Sequence, residues 1–121
     1  MLGLRTTIYK VGHLEQAAAW YAKAFETQPY FQESYYVGFN IGGYELGLQP
    51  EEIPTTDKPA SVVTYWGVEN IQASYERLIS LGAIEHEKPF NVGGELMTAT
   101  VKDPFGNLIG LIYNPHFGLE E

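Results

Sequence analysis

The order strand, helix, strand, strand, strand is written twice into this chain, and that duplication limits its fold more than any other feature. Val11-Gly12-His13-Leu14-Glu15 is matched 57 residues later by Val68-Glu69-Asn70-Ile71-Gln72. The same offset sets Ala17 against Ser74 and Tyr21 against Leu78, in both cases on the apolar stripe of a predicted helix. Internal similarity at a fixed period signals a repeated architectural unit.

The elements follow from residue type and spacing. Leu4 to Val11 is rich in Thr, Ile, Tyr and Val and predicts a strand. Leu14, Ala17, Ala18, Tyr21, Ala24 and Phe25 recur at helical spacing, predicting an amphipathic helix from about His13 to Glu26. Three short strands follow at about Tyr30–Gln32, Tyr36–Ile41 and Tyr44–Gln49, with Gly42-Gly43 suited to a tight hairpin between the last two. Pro50 to Pro59 carries three prolines and three acidic residues and reads as a linker. The order then repeats: a strand over Ser61–Val68, a helix capped by Asn70 and ended by Gly82, and strands at Ala83–Glu87, Leu96–Lys102 and Leu108–Tyr113. In the last hairpin, Asp103-Pro104-Phe105-Gly106-Asn107 supplies the turn. Pro104 presets φ, Gly106 accepts a positive φ, and Asp103 can bond the backbone two residues on.

Composition closes off several classes of function. A chain of 121 residues builds one domain with its own core, and 45% hydrophobic residues with 18% charged is ordinary for a globular protein. A net charge of −8, with only seven scattered basic residues, argues against nucleic acid as a partner. No apolar run approaches the roughly 20 residues of a membrane span, and no signal-peptide pattern opens the chain. The absence of cysteine removes disulfides and zinc–thiolate sites and fits a cytoplasmic location.

The paired βαβββ pattern, the Val-x-x-Leu after the first strand and the C-terminal Asp-Pro-x-Gly-Asn hairpin together resemble the vicinal oxygen chelate superfamily of glyoxalases, bleomycin-resistance proteins and dioxygenases. The resemblance covers about Leu4 to Pro115. It implies an α+β fold of two tandem βαβββ modules, whose curled mixed sheets enclose a ligand cleft. Module one then spans about 4–49, the linker about 50–60, module two about 61–115 and a tail 116–121. One such scaffold hosts many activities, so function has to come from the site.

Metal-dependent members of the family place His or Glu ligands on the first and last strands of each module. Carried over one by one, those positions fall on Thr6, Val63 and Gly110, with only Glu45 competent to bind a metal. Thr, Val and Gly cannot hold a divalent ion, and a slip of one residue presents Arg5, Thr7, Val62, Thr64, Ile109 or Leu111 instead, which does not restore the site. The expectation is a cleft without metal or other cofactor. His13 is expected at a helix N-terminus, His86 exposed on an edge-like strand and His116 in the tail, so none substitutes for the missing ligands.

Alternation then names the expected ligand-binding residues: Thr6 and Ile8 on the first strand, Glu45, Gly47 and Gln49 on the fourth, Val63 and Tyr65 on the fifth, and Gly110 and Ile112 on the eighth. Gly47 and Gly110 are expected to leave room at the centre. Tyr36, Phe39 and Trp66 are further aromatic candidates, although alternation turns Trp66 toward the helices. Glu45 is the candidate catalytic residue, because an apolar cleft would raise its pKa and make it a base. Glu95, after Gly93-Gly94, is a candidate lid residue. Three functions compete: sequestration of an aromatic or cationic small molecule by a metal-free protein, a metal-independent lyase or isomerase acting through Glu45, and a metalloenzyme with displaced ligands. Family members of this size imply a homodimer.

Overall fold

The computed structural model describes residues 4–53, 58 and 63–116. The elements run β1 (Thr6–Val11), α1 (Leu14–Ala24), β2 (Phe31–Glu33), β3 (Tyr36–Ile41), β4 (Tyr44–Pro50), β5 (Thr64–Gly67), α2 (Ile71–Ser80), β6 (Ile84–Gly93), β7 (Leu96–Lys102) and β8 (Leu108–Tyr113). They form two four-stranded mixed sheets, ordered β1-β4-β3-β2 and β5-β8-β7-β6, each with one helix, in an α+β fold. In each sheet the first strand pairs parallel with the last, and the remaining neighbours are antiparallel.

The chain divides into two compact units. One is Met1–Lys58 with Phe105–Asn107, and the other is Pro59–Pro104 with Leu108–Glu121. The short turn Phe105–Asn107 belongs to the first unit through its side-chain and backbone bonds. Asn107 Nδ2 donates to Lys10 O at 2.9 Å, and the Lys58 ammonium donates to Phe105 O. Lys58 Nζ also lies 3.0 Å from Glu51 Oε1.

In the first unit, α1 turns Ala17, Ala18 and Tyr21 onto the sheet, where they cover Val11, Val37, Phe39, Leu46 and Leu48. Each of the large apolar side chains contributes roughly 1.5–3 kcal/mol by leaving water. Tyr21 also packs on Tyr9 at 5.8 Å and Phe25 at 5.7 Å between ring centroids. In the second unit, Ile71, Tyr75 and Leu78 of α2 lie over a face that includes Ala99, Val101, Ile109 and Leu111. The Tyr75 hydroxyl donates to Glu85 Oε2 at 2.5 Å, and burial, followed by that bond, pushes its pKa up to about 12.

Several boundaries differ from the sequence expectation for local reasons. The first helix stops at Ala24, two residues short of the expected end, and the chain turns away through Glu26, a non-glycine residue in the left-handed conformation at φ 53°. The second helix ends on Gly82 at φ 102°, where the left-handed region costs nothing. Strand β6 runs on to Gly93 instead of stopping at Glu87, passing through Pro89 with three register shifts against β7. Proline is tolerated there because β6 is an edge strand, with one side of its backbone unpaired. Gly42 and Gly43 both have positive φ, the geometry of a type I′ hairpin, and Gly43 N donates to Asn40 Oδ1 at 2.8 Å. The fifth strand begins at Thr64, and residues 61 and 62 of the expected strand lie outside the described residues.

The two helices differ at their starts. Asn70 Oδ1 accepts from Ala73 N at 3.0 Å, whereas His13 holds the equivalent cap position without a side-chain bond. Asn70→Ala is therefore expected to destabilise the protein by about 1 kcal/mol, and His13→Asp to stabilise it by about 0.5–1 kcal/mol. Urea denaturation of both variants checks the pair.

Candidate functional site

Strand alternation lays out two faces of the first sheet. One meets α1, and the other carries three cross-strand rows. In the first row Thr6 pairs with Glu45 and Glu45 with Asn40. In the next, Ile8 pairs with Gly47, Gly47 with Gly38 and Gly38 with Phe31. Lys10 and Gln49 pair in the third, beside Tyr36 and Glu33, which pair with each other. The middle row is a trough, since two glycines stand side by side where a sheet normally projects side chains.

Two phenols fill that trough. The Tyr36 ring crosses Gly47 so closely that a Cβ there would stand 2.7 Å from Cζ. The Tyr30 ring lies over Gly38, 3.2 Å from the corresponding point. Gly47 and Gly110 thus do not leave vacant space, contrary to the expectation from sequence. Each lets a tyrosine approach the sheet, and at Gly110 the Tyr65 ring does so, with Cδ1 2.6 Å from where a Cβ would sit.

Both of these phenols point at one carboxylate. Glu45 Oε1 accepts from Thr6 Oγ1 at 3.0 Å and from Tyr36 OH at 2.7 Å, and Glu45 Oε2 accepts from Tyr30 OH. The Tyr30 hydroxyl above all, then that of Tyr36, holds the Glu45 carboxyl below its ordinary value of 4.5; partial burial opposes this and Thr6 reinforces it. Sequence reasoning expected the opposite shift, because it saw apolar neighbours and missed the hydroxyl donors. Hydrogen bonds to the charged form outweigh desolvation here. The phenols respond in the other direction: Tyr30 is raised mainly by its bond to Glu45, and Tyr36 mainly by burial, then by the same carboxylate. Both stay protonated donors at neutral pH.

Beside the carboxylate opens a cavity of about 160 Å3 lined by Tyr30, Asn40, Gly43, Tyr44 and Glu45. Phe31 extends the aromatic surface, meeting Tyr35 edge-on at 6.2 Å and Tyr36 at 6.3 Å between centroids. Tyr30 and Tyr35 are each more than 60% exposed, so this aromatic surface is presented to solvent.

Of the residues singled out from sequence, the structure brings Thr6 and Glu45 into contact and sets Ile8, Gly47 and Gln49 on the same face. Val63, Tyr65, Gly110 and Ile112 fall in the second unit, where Tyr65 pairs with Gly110 and Gly67 with Ile112. Phe39 is fully buried in the first core and takes no part in the open face. Tyr30, Asn40 and Tyr44 were missed. A signal for Tyr30 existed in Gly38 and Gly47, since glycine inside a strand often marks close approach of another group.

The histidines occupy three different settings. His13 starts α1, and His86 is exposed on β6 with Nδ1 2.8 Å from Thr100 Oγ1, whose hydroxyl donates to Glu87 Oε1 at 3.2 Å. His116 Nε2 lies 3.6 Å from Glu95 Oε2, both side chains exposed, an ion pair when the imidazole is protonated. Among the described residues no group of three or more His, Cys, Asp or Glu side chains could hold a metal ion.

The profile of the Glyoxalase/Bleomycin resistance protein/Dioxygenase superfamily matches residues 3–111. A glyoxalase-related enzyme from Fulvimarina pelagi superposes with a TM-score of 0.82 at 18% identity, covering 99% of this chain and 94% of that one. The fosfomycin resistance protein FosX from Listeria monocytogenes, in a structure complexed with Mn(II) and sulfate ion, gives 0.80 at 17% identity, covering 96% and 93%. At these identities the likeness establishes the fold. A comparison with curated protein sequences finds no match. The metal that metal-dependent relatives carry does not fit the side chains here: Thr6, Val63 and Gly110 offer no adequate donor set, and Glu45 already accepts three hydroxyl bonds.

The trough makes a specific demand on position 47. Gly47→Ala should expel the Tyr36 ring, break its bond to Glu45 and destabilise the protein by about 1–3 kcal/mol. In a Tyr36→Ala background the same substitution should cost far less. A double-mutant cycle by chemical denaturation measures the coupling.

Proposed function

We propose that this chain, which belongs to the glyoxalase/bleomycin resistance protein/dioxygenase superfamily, is a small-molecule-binding protein that captures an organic cation at the Glu45 carboxylate. The observation that carries this is a carboxylate kept ionised by three hydroxyl donors and flanked by aromatic rings. Ring faces attract cations, and a carboxylate beside them supplies the full negative charge. The net charge of −8 favours the approach of cations and disfavours anions.

Metal-free sequestration fits these features better than acid–base catalysis. A carboxyl held below the ordinary range is a weak proton acceptor at neutral pH, so Glu45 is fitted to hold charge and poorly fitted to take a proton. The hollow of about 160 Å3 is open to solvent, so it can seat the charged end of a ligand while the rest of the molecule stays outside. Thr6, Ile8, Gly47 and Gln49 extend the proposed surface along the first sheet, and Val63, Tyr65, Gly110 and Ile112 supply a second apolar surface in the other unit. The exposed side chains of Ile8 and Tyr65 on these faces support a homodimer as the working form. Among the described residues no helix is long and apolar enough to cross a membrane, and a cytoplasmic site of action is proposed with the rest.

Calorimetric titration against a panel of aromatic and aliphatic amines tests the proposal. Binding without turnover is expected, with affinity lowered about tenfold or more by Glu45→Gln. Saturable turnover that survives chelation and is lost in Glu45→Gln would replace it with metal-independent catalysis. Binding also carries a pH signature. Only the ionised carboxylate attracts the cation, and its pKa lies below 4.5, so affinity should hold through that pH and fall only as the medium becomes more acidic still. Titrations between pH 7 and 3.5 read this directly. Sedimentation at micromolar concentration checks the dimer, which a monomeric mass would refute.

A further inference from the structure

We infer that the cation selected by this pocket is a protonated amine giving a single N–H to Glu45 Oε2, and that guanidinium and amidinium groups are discriminated against. The assignment rests on the cation-binding function proposed above and goes beyond it in naming the ligand's charged group.

The inference follows from how the carboxylate's acceptor capacity is already used. An ionised carboxylate has about four lone-pair directions, two on each oxygen. On Oε1 both are engaged, by the hydroxyls of Thr6 at 3.0 Å and Tyr36 at 2.7 Å. On Oε2 one is engaged, by the Tyr30 hydroxyl. A single direction therefore remains, on Oε2.

Planar forked cations need more than that. Guanidinium and amidinium groups bind carboxylates best through two parallel N–H bonds, one to each oxygen. Here the second N–H of the fork meets an Oε1 already saturated by two hydroxyls of the protein. It must either displace one of them or stay unsatisfied, and an unmade bond to a charged group is costly. An ammonium has no such requirement. It satisfies the one open direction with one N–H and turns its other hydrogens and carbon body toward Tyr30 and Tyr44, which line the same cavity. A quaternary ammonium keeps the ring contacts but has no N–H for Oε2, so it should bind less tightly than a primary amine.

The hydroxyls on Oε1 thus act as a selectivity filter, and removing one should open it. Thr6→Val keeps the side-chain shape and deletes one donor. Tyr36→Phe deletes the other while keeping the ring over Gly47.

The test compares benzylammonium with benzamidinium, which present the same ring with different charged groups, and uses benzyl alcohol as a neutral control. Affinities are measured by calorimetry for the unsubstituted 121-residue chain, Glu45→Gln, Thr6→Val and Tyr36→Phe, with folding of each variant checked by circular dichroism. The wild type should prefer benzylammonium by about tenfold, and the preference should vanish in Glu45→Gln. Thr6→Val or Tyr36→Phe should raise benzamidinium affinity about fivefold or more relative to benzylammonium. The second variant keeps the test open if the first fails to fold. Equal or tighter benzamidinium binding to the wild type, dependent on Glu45, would overturn the selectivity and leave cation capture standing. An unchanged ratio in both hydroxyl variants would overturn it likewise. Failure of either cation to bind better than benzyl alcohol would overturn cation capture itself, and the selectivity with it.

Discussion

In each unit the first strand pairs in parallel with the last, and most other features follow from that pairing. A parallel partner cannot be reached by a tight turn, and in each unit the chain arrives at it through a helix and two intervening strands. The helix covers one face of the sheet and builds the core there. The opposite face is left to residues that the core does not need, which is where Thr6, Glu45 and the glycine trough lie. Pairing β1 with β4 also fixes register: Thr6 stands opposite Glu45 because Ile8 stands opposite Gly47, and a slip of one residue would bury the carboxylate under α1.

The open face uses aromatic residues in an uncommon way. Tyr30 and Tyr36 lie across the strands and do not stand up from them, because Gly38 and Gly47 remove the side chains that would prop them up. Their hydroxyls converge on Glu45 together with that of Thr6, and all three are neutral donors at physiological pH. Such an arrangement stabilises a negative charge without neutralising it. A lysine or arginine in the same place would have cancelled the field that a ligand could use. Lys10, the nearest cation in the cross-strand rows, pairs with Gln49, four residues along β4 from Glu45.

Much of the fold was legible in the sequence because it rests on periodicities of 2 and 3.6 and on a few turn residues. Ala17, Ala18 and Tyr21 marked the buried stripe of α1, Asn70 and Gly82 bracketed α2, and Gly42-Gly43 placed a hairpin. The extension of β6 was hidden because Pro89 normally ends a strand, and only the sheet order shows it to be at an edge. At the site, Glu45 and Thr6 were singled out because the family resemblance implied ligand positions on or near them. The direction of the Glu45 shift did not emerge, since it depends on hydroxyls brought from 9, 15 and 39 residues away. Alternation says which face a side chain leaves from but not where a long ring travels, and Tyr36 and Tyr30 act through their reach.

The irregular backbone of β6 has a colloidal consequence. An outermost strand ten residues long that exposes Ile84, Phe90 and Val92 would ordinarily template the stacking of one molecule on the next. Lys88, Pro89 and the three breaks in its register make that ribbon a poor mould for a copy of itself. The long apolar-bearing edge of the second sheet is thereby poorly suited to growing a fibril.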